Sequence, residues 1–218
     1  WFDDLIGEYA KWAVWQIKWI KNRNKSIQAF EFPYPYRKGQ KKLVAGVYRT
    51  ILRDKNLFIE APTGVGKTIS TIFPSVKAMG ENIAEKIFYL TAKTITRTVA
   101  EDTFRILRNE DVSFKVVTIT AKEKICILDK PDCNPVSCER AKGHFDRVND
   151  AVFDLLTNED EINRDLIDLY ASKHCVCPFE MSLDVTLWAD AVICDYNYVF
   201  DPNVYLRRFF QNEKKNDY

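Results

Sequence analysis

The segment Leu57-Phe-Ile-Glu-Ala-Pro-Thr-Gly-Val-Gly-Lys-Thr68 constrains this chain more than any other. A short apolar run enters a loop with two glycines, ends in Gly-Lys-Thr and continues into a helix-compatible stretch. Strand, loop and helix in that order are the layout of a phosphate-binding P-loop. Gly64 and Gly66 let the backbone turn tightly, so that the N–H groups of Thr63, Gly64, Val65, Gly66, Lys67 and Thr68 can approach phosphate oxygens. Lys67 is placed to neutralise β/γ-phosphate charge, and the Thr68 hydroxyl to bind Mg²⁺. A helix starting here adds its positive N-terminal end to the same site. The strict pattern asks for glycine where this chain has Ala61, but the Gly-x-Gly-Lys-Thr core is intact. The bland alternative is a glycine turn with an incidental lysine, and the flanking strand and helix patterns argue against it.

Around this loop, strand and helix patterns alternate. Strand candidates are Leu57–Ala61, Ile87–Thr91, Phe114–Thr120 and Ala191–Cys194; helix candidates are Gly39–Arg53, Lys67–Met79, Ile95–Leu107 and Phe179–Trp188. Short apolar strands separated by helices imply an α/β domain with a parallel sheet covered on both faces, the P-loop lying at the carboxyl end of its strand. Pro74 is expected to kink or shorten its helix. Residues 1–25 carry tryptophans and aliphatics at helical spacing, which reads as an amphipathic helix packing its tryptophans on a core. Phe32-Pro-Tyr-Pro-Tyr36 ends that helix, because the prolines remove donors and favour extended backbone.

At 218 residues the chain can build one core, or one core plus an inserted subdomain. The formal net charge is +1, so overall charge neither favours nor excludes nucleic acid. The distribution is uneven. Ala10 to Lys55 holds twelve Lys or Arg against Glu31 and Asp54, whereas Asp150 to Asp168 holds seven acidic residues against Arg164. Such a pattern suits either a phosphate-attracting face or solvated helix surfaces. No run approaches the ~18 apolar residues of a membrane span, and no secretory signal is visible. The chain starts at Trp1 and ends in a polar run, so both ends read as cut from a longer protein. A cytoplasmic setting is the expectation, with nucleoid association if the source is bacterial. There, cysteines serve metal or redox chemistry before disulfides.

The regularity breaks between Ala121 and Pro178, too long a gap for an ordinary connection. This stretch holds five of the six cysteines and both histidines, and reads as an inserted subdomain with a helix over Asn149–Tyr170. Six residues separate Cys126 from Cys133, four separate Cys133 from Cys138, and thirty-eight separate Cys138 from Cys177. Thiolates around a metal would staple a subdomain with a weak core. Structural Zn sites usually show two close pairs, and these unequal gaps suit an iron–sulfur cluster at least as well; unligated cysteines are the remaining alternative. Cys175 and Cys177 point to opposite sides if extended, and Pro178 fixes the turn beside Cys177, which favours Cys177. His174 is a possible substitute ligand, and Cys194, inside an apolar strand, reads as core.

Taken together, the motifs resemble the iron–sulfur superfamily 2 DNA helicases of the DinG/XPD family, most of all the bacterial DinG-like branch, from about Phe32 to Phe210. Phe32-Pro-Tyr-Pro-Tyr-Arg-Lys-Gly-Gln40 is similar to the family's lead-in, which implies that Gln40 recognises adenine. Ala61-Pro-Thr-Gly-Val-Gly-Lys-Thr68 resembles helicase motif I, where alanine first is normal. Tyr89-Leu-Thr-Ala-Lys-Thr94 with Arg97 resembles motif Ia, implying DNA-backbone contacts by Thr91, Lys93, Thr94 and Arg97. Lys122-Glu-Lys-Ile-Cys126, Cys133-Asn-Pro-Val-Ser-Cys138 and Cys177-Pro-Phe-Glu180 resemble the segments that hold a [4Fe–4S] cluster, implying Cys126, Cys133, Cys138 and Cys177 as its ligands. Ala189–Tyr198 resembles the strand that shortly precedes the DEAH box.

The resemblance divides the chain into a helical lead-in (1–35), the first part of a RecA-like motor domain (36–120), an inserted, mostly helical cluster subdomain (121–178) and a return to the motor domain (179–218). It implies an ATP- and Mg²⁺-dependent helicase moving 5′→3′ on single-stranded DNA and acting at single-strand/duplex junctions. The chain departs from the pattern in having no Asp-Glu-Ala-His; its Asp160-Glu161 pair is followed by Ile162 in a polar stretch, read as lying outside any strand. Motif II should carry the Mg²⁺-binding carboxylate and position the attacking water. It is expected, with the second motor domain, in the remainder of a parent chain, so this part alone is expected to be inactive. The rival is a non-catalytic DNA-binding or redox-sensing module held by Fe–S or Zn. A small-molecule kinase is weaker, since the cysteine insertion has no role in it.

Overall fold

The apolar stripe of the first helix shows how far local pattern carries in this chain. In the computed structural model, which describes residues 1–92, 94–108, 111–204 and 206–210, α1 runs over Phe2–Ala29. The helix stops at Phe30, whose backbone is extended, just ahead of the prolines. Among the described residues, full apolar burial is confined to its C-terminal end, where Ile27 and Phe30 lie in the core; Trp12, Trp15 and Trp19 are half-buried, whereas Phe2 is 63%, Tyr9 75% and Ile17 68% exposed. Trp15 stacks on Trp19 and meets Trp12 edge-on within the helix.

Trp1–Ile87 and Asp102–Ser113 form one unit, and Phe88–Glu101 together with the described residues from Phe114 to Phe210 form a second. In the first unit, α2 (Gln40–Leu52) and α1 pack on α3 (Lys67–Gly80). The Lys77 ammonium donates to the carbonyls of Ile27, Gln28 and Phe30 at 2.9, 3.2 and 3.0 Å, closing the carbonyl end of α1. Gln28 Nε2 donates to the Gly80 carbonyl at 2.9 Å. Pro74 does not shorten α3: the helix continues to Gly80, with Ile72, Phe73, Pro74 and Val76 all buried. Burial of this face offsets the lost hydrogen bond.

At Gly80, α3 lies directly against Ile27 of α1. A Cβ there would lie 2.4 Å from Ile27 Cγ2 and 2.8 Å from its Cβ, neither of them the end of a flexible side chain. Gly80→Ala is expected to destabilise this unit by about 1–3 kcal/mol through overpacking, despite alanine's higher helix propensity. An unchanged urea midpoint would show that α1 gives way without cost.

The second unit is built on a sheet of order β1–β4–β2–β3, formed by β1 (Ile87–Thr91), β2 (Val116–Thr118), β3 (Glu161–Ile162) and β4 (Ala191–Asp195). β2 runs parallel to both β3 and β4, with Val117 opposite Ile162 on one side and Val192 on the other. Val116, Val117 and Ala191 to Cys194 are at most 4% exposed, as expected of parallel strands covered on both faces. The remaining helices are α4 (Thr94–Arg108), α5 (Lys122–Ile125), α6 (His144–Asn158), α7 (Arg164–Lys173), α8 (Pro178–Trp188), α9 (Asn197–Phe200) and α10 (Arg207–Phe210). Packed on β2 is α8, which in turn carries α6 and α7.

Two sequence expectations fail here. The helix expected over Asn149–Tyr170 is broken into α6, β3 and α7, so Asp160-Glu161-Ile162 leads into a strand after all. The cause is Lys115, a buried lysine whose ammonium donates to Asp160 Oδ1 at 2.5 Å and to the Glu159 carbonyl at 2.8 Å. That pairing satisfies a buried charge and brings the polar segment to the sheet edge. Asn163 then caps α7, its side chain accepting from the Leu166 N–H.

The other failure is Leu57–Ala61, which forms no strand. No edge among the described residues supplies its backbone with a ladder, and Phe58 is left 95% exposed. Among the described residues, no helix is long and apolar enough to cross a membrane.

Candidate nucleotide and metal sites

In the P-loop, Gly64 and Gly66 both adopt left-handed backbone, with φ of 83° and 76°, the conformation that glycine reaches without a steric penalty. Gly66 is the N-cap of α3, so the helix opens at Lys67 as anticipated. The Lys67 ammonium donates to the carbonyls of Ala61 and Pro62 at 3.0 and 2.9 Å, and Arg37 Nη1 donates to the Gly64 carbonyl. The cations of the site are held by the loop's own carbonyls. Gln40 is 4% exposed; its Oε1 accepts from the Arg37 N–H at 3.0 Å, and its Nε2 lies 2.6 Å from where a Cβ on Gly66 would stand. The fold thus brings Gln40 against the P-loop. Arg37, three residues before Gln40, was missed from sequence. Its place in the lead-in was the available signal.

Cys126, Cys133, Cys138 and Cys177 line one cavity of about 440 Å³, which Cys175 and Cys194 do not reach. Short local devices aim each side chain. Cys126 ends α5, its N–H donating to the Lys122 carbonyl. Asn134 Oδ1 accepts from the N–H groups of Val136 and Ser137, both at 2.9 Å, and its carbonyl accepts from the Cys138 N–H, which shapes the loop between Cys133 and Cys138. Cys177 is the N-cap of α8 with Pro178 at the first helical turn. Its N–H donates to His144 Nδ1 at 3.2 Å.

The Lys122 ammonium hydrogen-bonds Cys133, which raises its pKa against the opposing effect of burial. Burial pushes the Cys177 thiol up, while the backbone N–H groups of Glu180 and Phe179 at the start of α8 draw it down. His174 is not on the cavity; its Nε2 lies 2.7 Å from Asp154 Oδ2. Among the described residues, no group of three or more His, Cys, Asp or Glu side chains is drawn together as a metal-ion site. The four cysteines share the lining of one cavity without forming such a group.

The motif Ia positions fare unequally. Thr91 is 3% exposed, and its carbonyl accepts from the Tyr196 N–H. Lys93 and the Thr94 side chain lie outside the described residues. Arg97 faces a cleft of about 650 Å³ lined also by Lys122, Lys124, Tyr198 and Arg207, and its buried Nε has no hydrogen-bond partner among the described residues. Burial raises the Tyr198 phenol to about 12, keeping it neutral. Cys194 is fully buried, as expected of a core residue.

No family model matches the chain. It is 28% identical over 167 residues to a probable ATP-dependent helicase of Methanocaldococcus jannaschii, covering 75% of this chain and 25% of that protein. It is 23% identical over 230 residues to the regulator of telomere elongation helicase 1 of Homo sapiens, covering 78% of this chain and 18% of that one. Among solved structures, an XPD helicase superposes with a TM-score of 0.52 at 16% identity, over 82% of this chain and 31% of the other. The chain is thus similar in sequence to two helicases and in fold to an XPD helicase. It spans about a quarter or less of the length of these relatives. The α/β fold with a parallel sheet is similar to that of this solved structure.

Proposed function

We propose that this chain is the nucleotide- and DNA-handling N-terminal part of an ATP-dependent DNA helicase that moves 5′→3′ on single-stranded DNA. The observation that carries this reading is the contact of Gln40 with Gly66, which sets a base-recognising amide beside a phosphate-cradling loop. In this role Thr63 to Thr68 receive the phosphates, Lys67 and Thr68 meeting the γ-phosphate and Mg²⁺, and Gln40 receives adenine. Thr91, Lys93, Thr94 and Arg97 contact the DNA backbone, Arg97 from the cleft that it faces. Residues 36–120 and 179–218 belong to the motor domain, 1–35 lead into it, and 121–178 form the cluster subdomain that helps part strands at a junction.

Cys126, Cys133, Cys138 and Cys177 would hold a [4Fe–4S] cluster, whose chemistry here is that of a covalent staple between loops that share little core. The donor set fits. Four cysteines line one cavity of about 440 Å³, with the Lys122 ammonium beside Cys133.

The helicase reading is tested by measuring single-stranded DNA affinity of the full 218-residue chain with and without Mg²⁺-nucleotide. Coupling between the two ligands, abolished in Lys67→Ala, is expected. No coupling would favour a non-catalytic DNA-binding module. That second reading draws on the Lys67 bonds to Ala61 and Pro62 and on the unpaired Leu57–Ala61. Arg97→Ala is expected to weaken DNA binding alike across sequences and to flatten the salt dependence by about one phosphate contact. A sequence-selective loss would place Arg97 on a base.

A further inference from the structure

We propose that Arg147, given room by Gly143, is a positioning residue that sets Cys177 in place for the metal group; the inference rests on the cluster reading above. Its guanidinium serves two separate stretches of chain. Nη2 donates to the Lys142 carbonyl at 2.7 Å and to the Cys175 carbonyl at 2.7 Å, and Nε donates to the carbonyls of His174 and Cys175 at 3.1 and 3.2 Å. On the first stretch, the N–H groups of Ala141 and Lys142 donate to the Cys138 carbonyl at 3.1 and 3.3 Å, so the Lys142 peptide is tied to the turn that leaves Cys138. On the second, Cys175 has a left-handed φ of 53°, a conformation unfavourable for a residue with a side chain. Arg147 holds the carbonyl of that turn, and the turn sets the direction in which the chain enters Cys177.

His144 completes the arrangement one helical turn earlier. Its Nδ1 accepts from the Cys177 N–H, so positions i and i+3 of α6 grip the backbone on either side of Val176. Gly143 is required twice: its φ is 68°, and a Cβ there would stand 2.6 Å from Arg147 Nη1. Neither Gly143 nor Arg147 lines the cysteine cavity. They act through the backbone that links Cys138 to Cys177. The guanidinium reaches these three carbonyls from two separate nitrogens, Nε and Nη2, whereas a lysine offers all its donors from one atom.

The test compares the full chain with Arg147→Ala and Arg147→Lys, each purified without oxygen. Iron per chain, bleaching under a chelator, helix content by far-UV circular dichroism and hydrogen exchange of residues 174–177 are followed. Arg147→Ala is expected to bleach about 10–100-fold faster, the usual cost of losing an outer-shell partner. It should lose one iron ahead of the others, keep its helix content and exchange faster at 174–177. Arg147→Lys should recover only part of this. Bleaching at the parent rate with unchanged exchange would overturn the proposal. So would loss of all iron together with helix content in both variants, which would make Arg147 a general stabiliser. A parent chain without iron would defeat the cluster reading. In that case exchange in the metal-free chain decides the clamp, faster at 174–177 supporting it and unchanged exchange refuting it.

Discussion

On the proposed cluster reading, the chain is expected to carry about four irons, and serine at any one of Cys126, Cys133, Cys138 or Cys177 to remove most of them, and with them the brown absorbance near 400 nm. Cys175→Ser and Cys194→Ser should leave both unchanged. The contrast follows from where the six thiols lie. Four line one cavity, Cys175 is exposed in a left-handed turn, and Cys194 is sealed in β4. Burial pushes the Cys194 thiol up to about 12, and the side chain is sealed in β4 away from the cavity. Loss of one ligand among four should unfasten the loops as well, because the segment from Cys126 to Cys138 contains few buried apolar side chains. Iron analysis and the visible spectrum of each variant decide the matter. A colourless parent chain with a single zinc would reject the cluster, and iron loss in Cys175→Ser would reassign the fourth ligand.

Lys67→Ala is expected to weaken Mg²⁺-nucleotide binding by about ten- to a hundredfold, the equivalent of ~1.5–3 kcal/mol for hydrogen bonds to a charged group. In the structure the ammonium spends its donors on the carbonyls of Ala61 and Pro62. Phosphate entry would replace these neutral acceptors with an anion. Gly66→Ala should act in the same direction by another route. Its φ of 76° strains alanine, and the added methyl would meet Gln40 Nε2 at 2.6 Å, disturbing the base side along with the phosphate side. Calorimetric titration with Mg²⁺-ATP measures both, and unchanged affinity in Lys67→Ala would place the nucleotide elsewhere. The measurement is of binding alone, since the chain contains no Asp-Glu-Ala-His and no ATP turnover is expected from it.

Some residues could be placed from sequence because their behaviour is local. Gly64 and Gly66 take positive φ where a phosphate loop requires it. Pro178 opens α8 directly after Cys177, as a proline at a helix start should. Val116, Val117 and Ala191 to Cys194 read as buried parallel strand and are so. His144, Arg37 and Arg147 were not recognised, because nothing in their neighbours tells which distant carbonyl or amide each will meet.

The contrast is sharpest between Glu161–Ile162 and Leu57–Ala61. The first is polar and reads as helix, yet it joins the sheet because Lys115, forty-five residues away from Asp160, needs a partner for its buried charge. The second is apolar and reads as strand, yet no described edge pairs with it, and Phe58 stays in solvent. Sequence alone determined the conformation of the phosphate loop, the strands Val116–Thr118 and Ala191–Asp195, and the helix starts after Gly66 and Cys177, all governed by backbone sterics and short-range apolar periodicity. Tertiary structure decided which polar segment became a strand, that Gln40 rests on Gly66, and that four cysteines share one cavity while a fifth does not. Those outcomes depend on which distant groups satisfy one another's charge, hydrogen bonds and volume, and local pattern does not encode that.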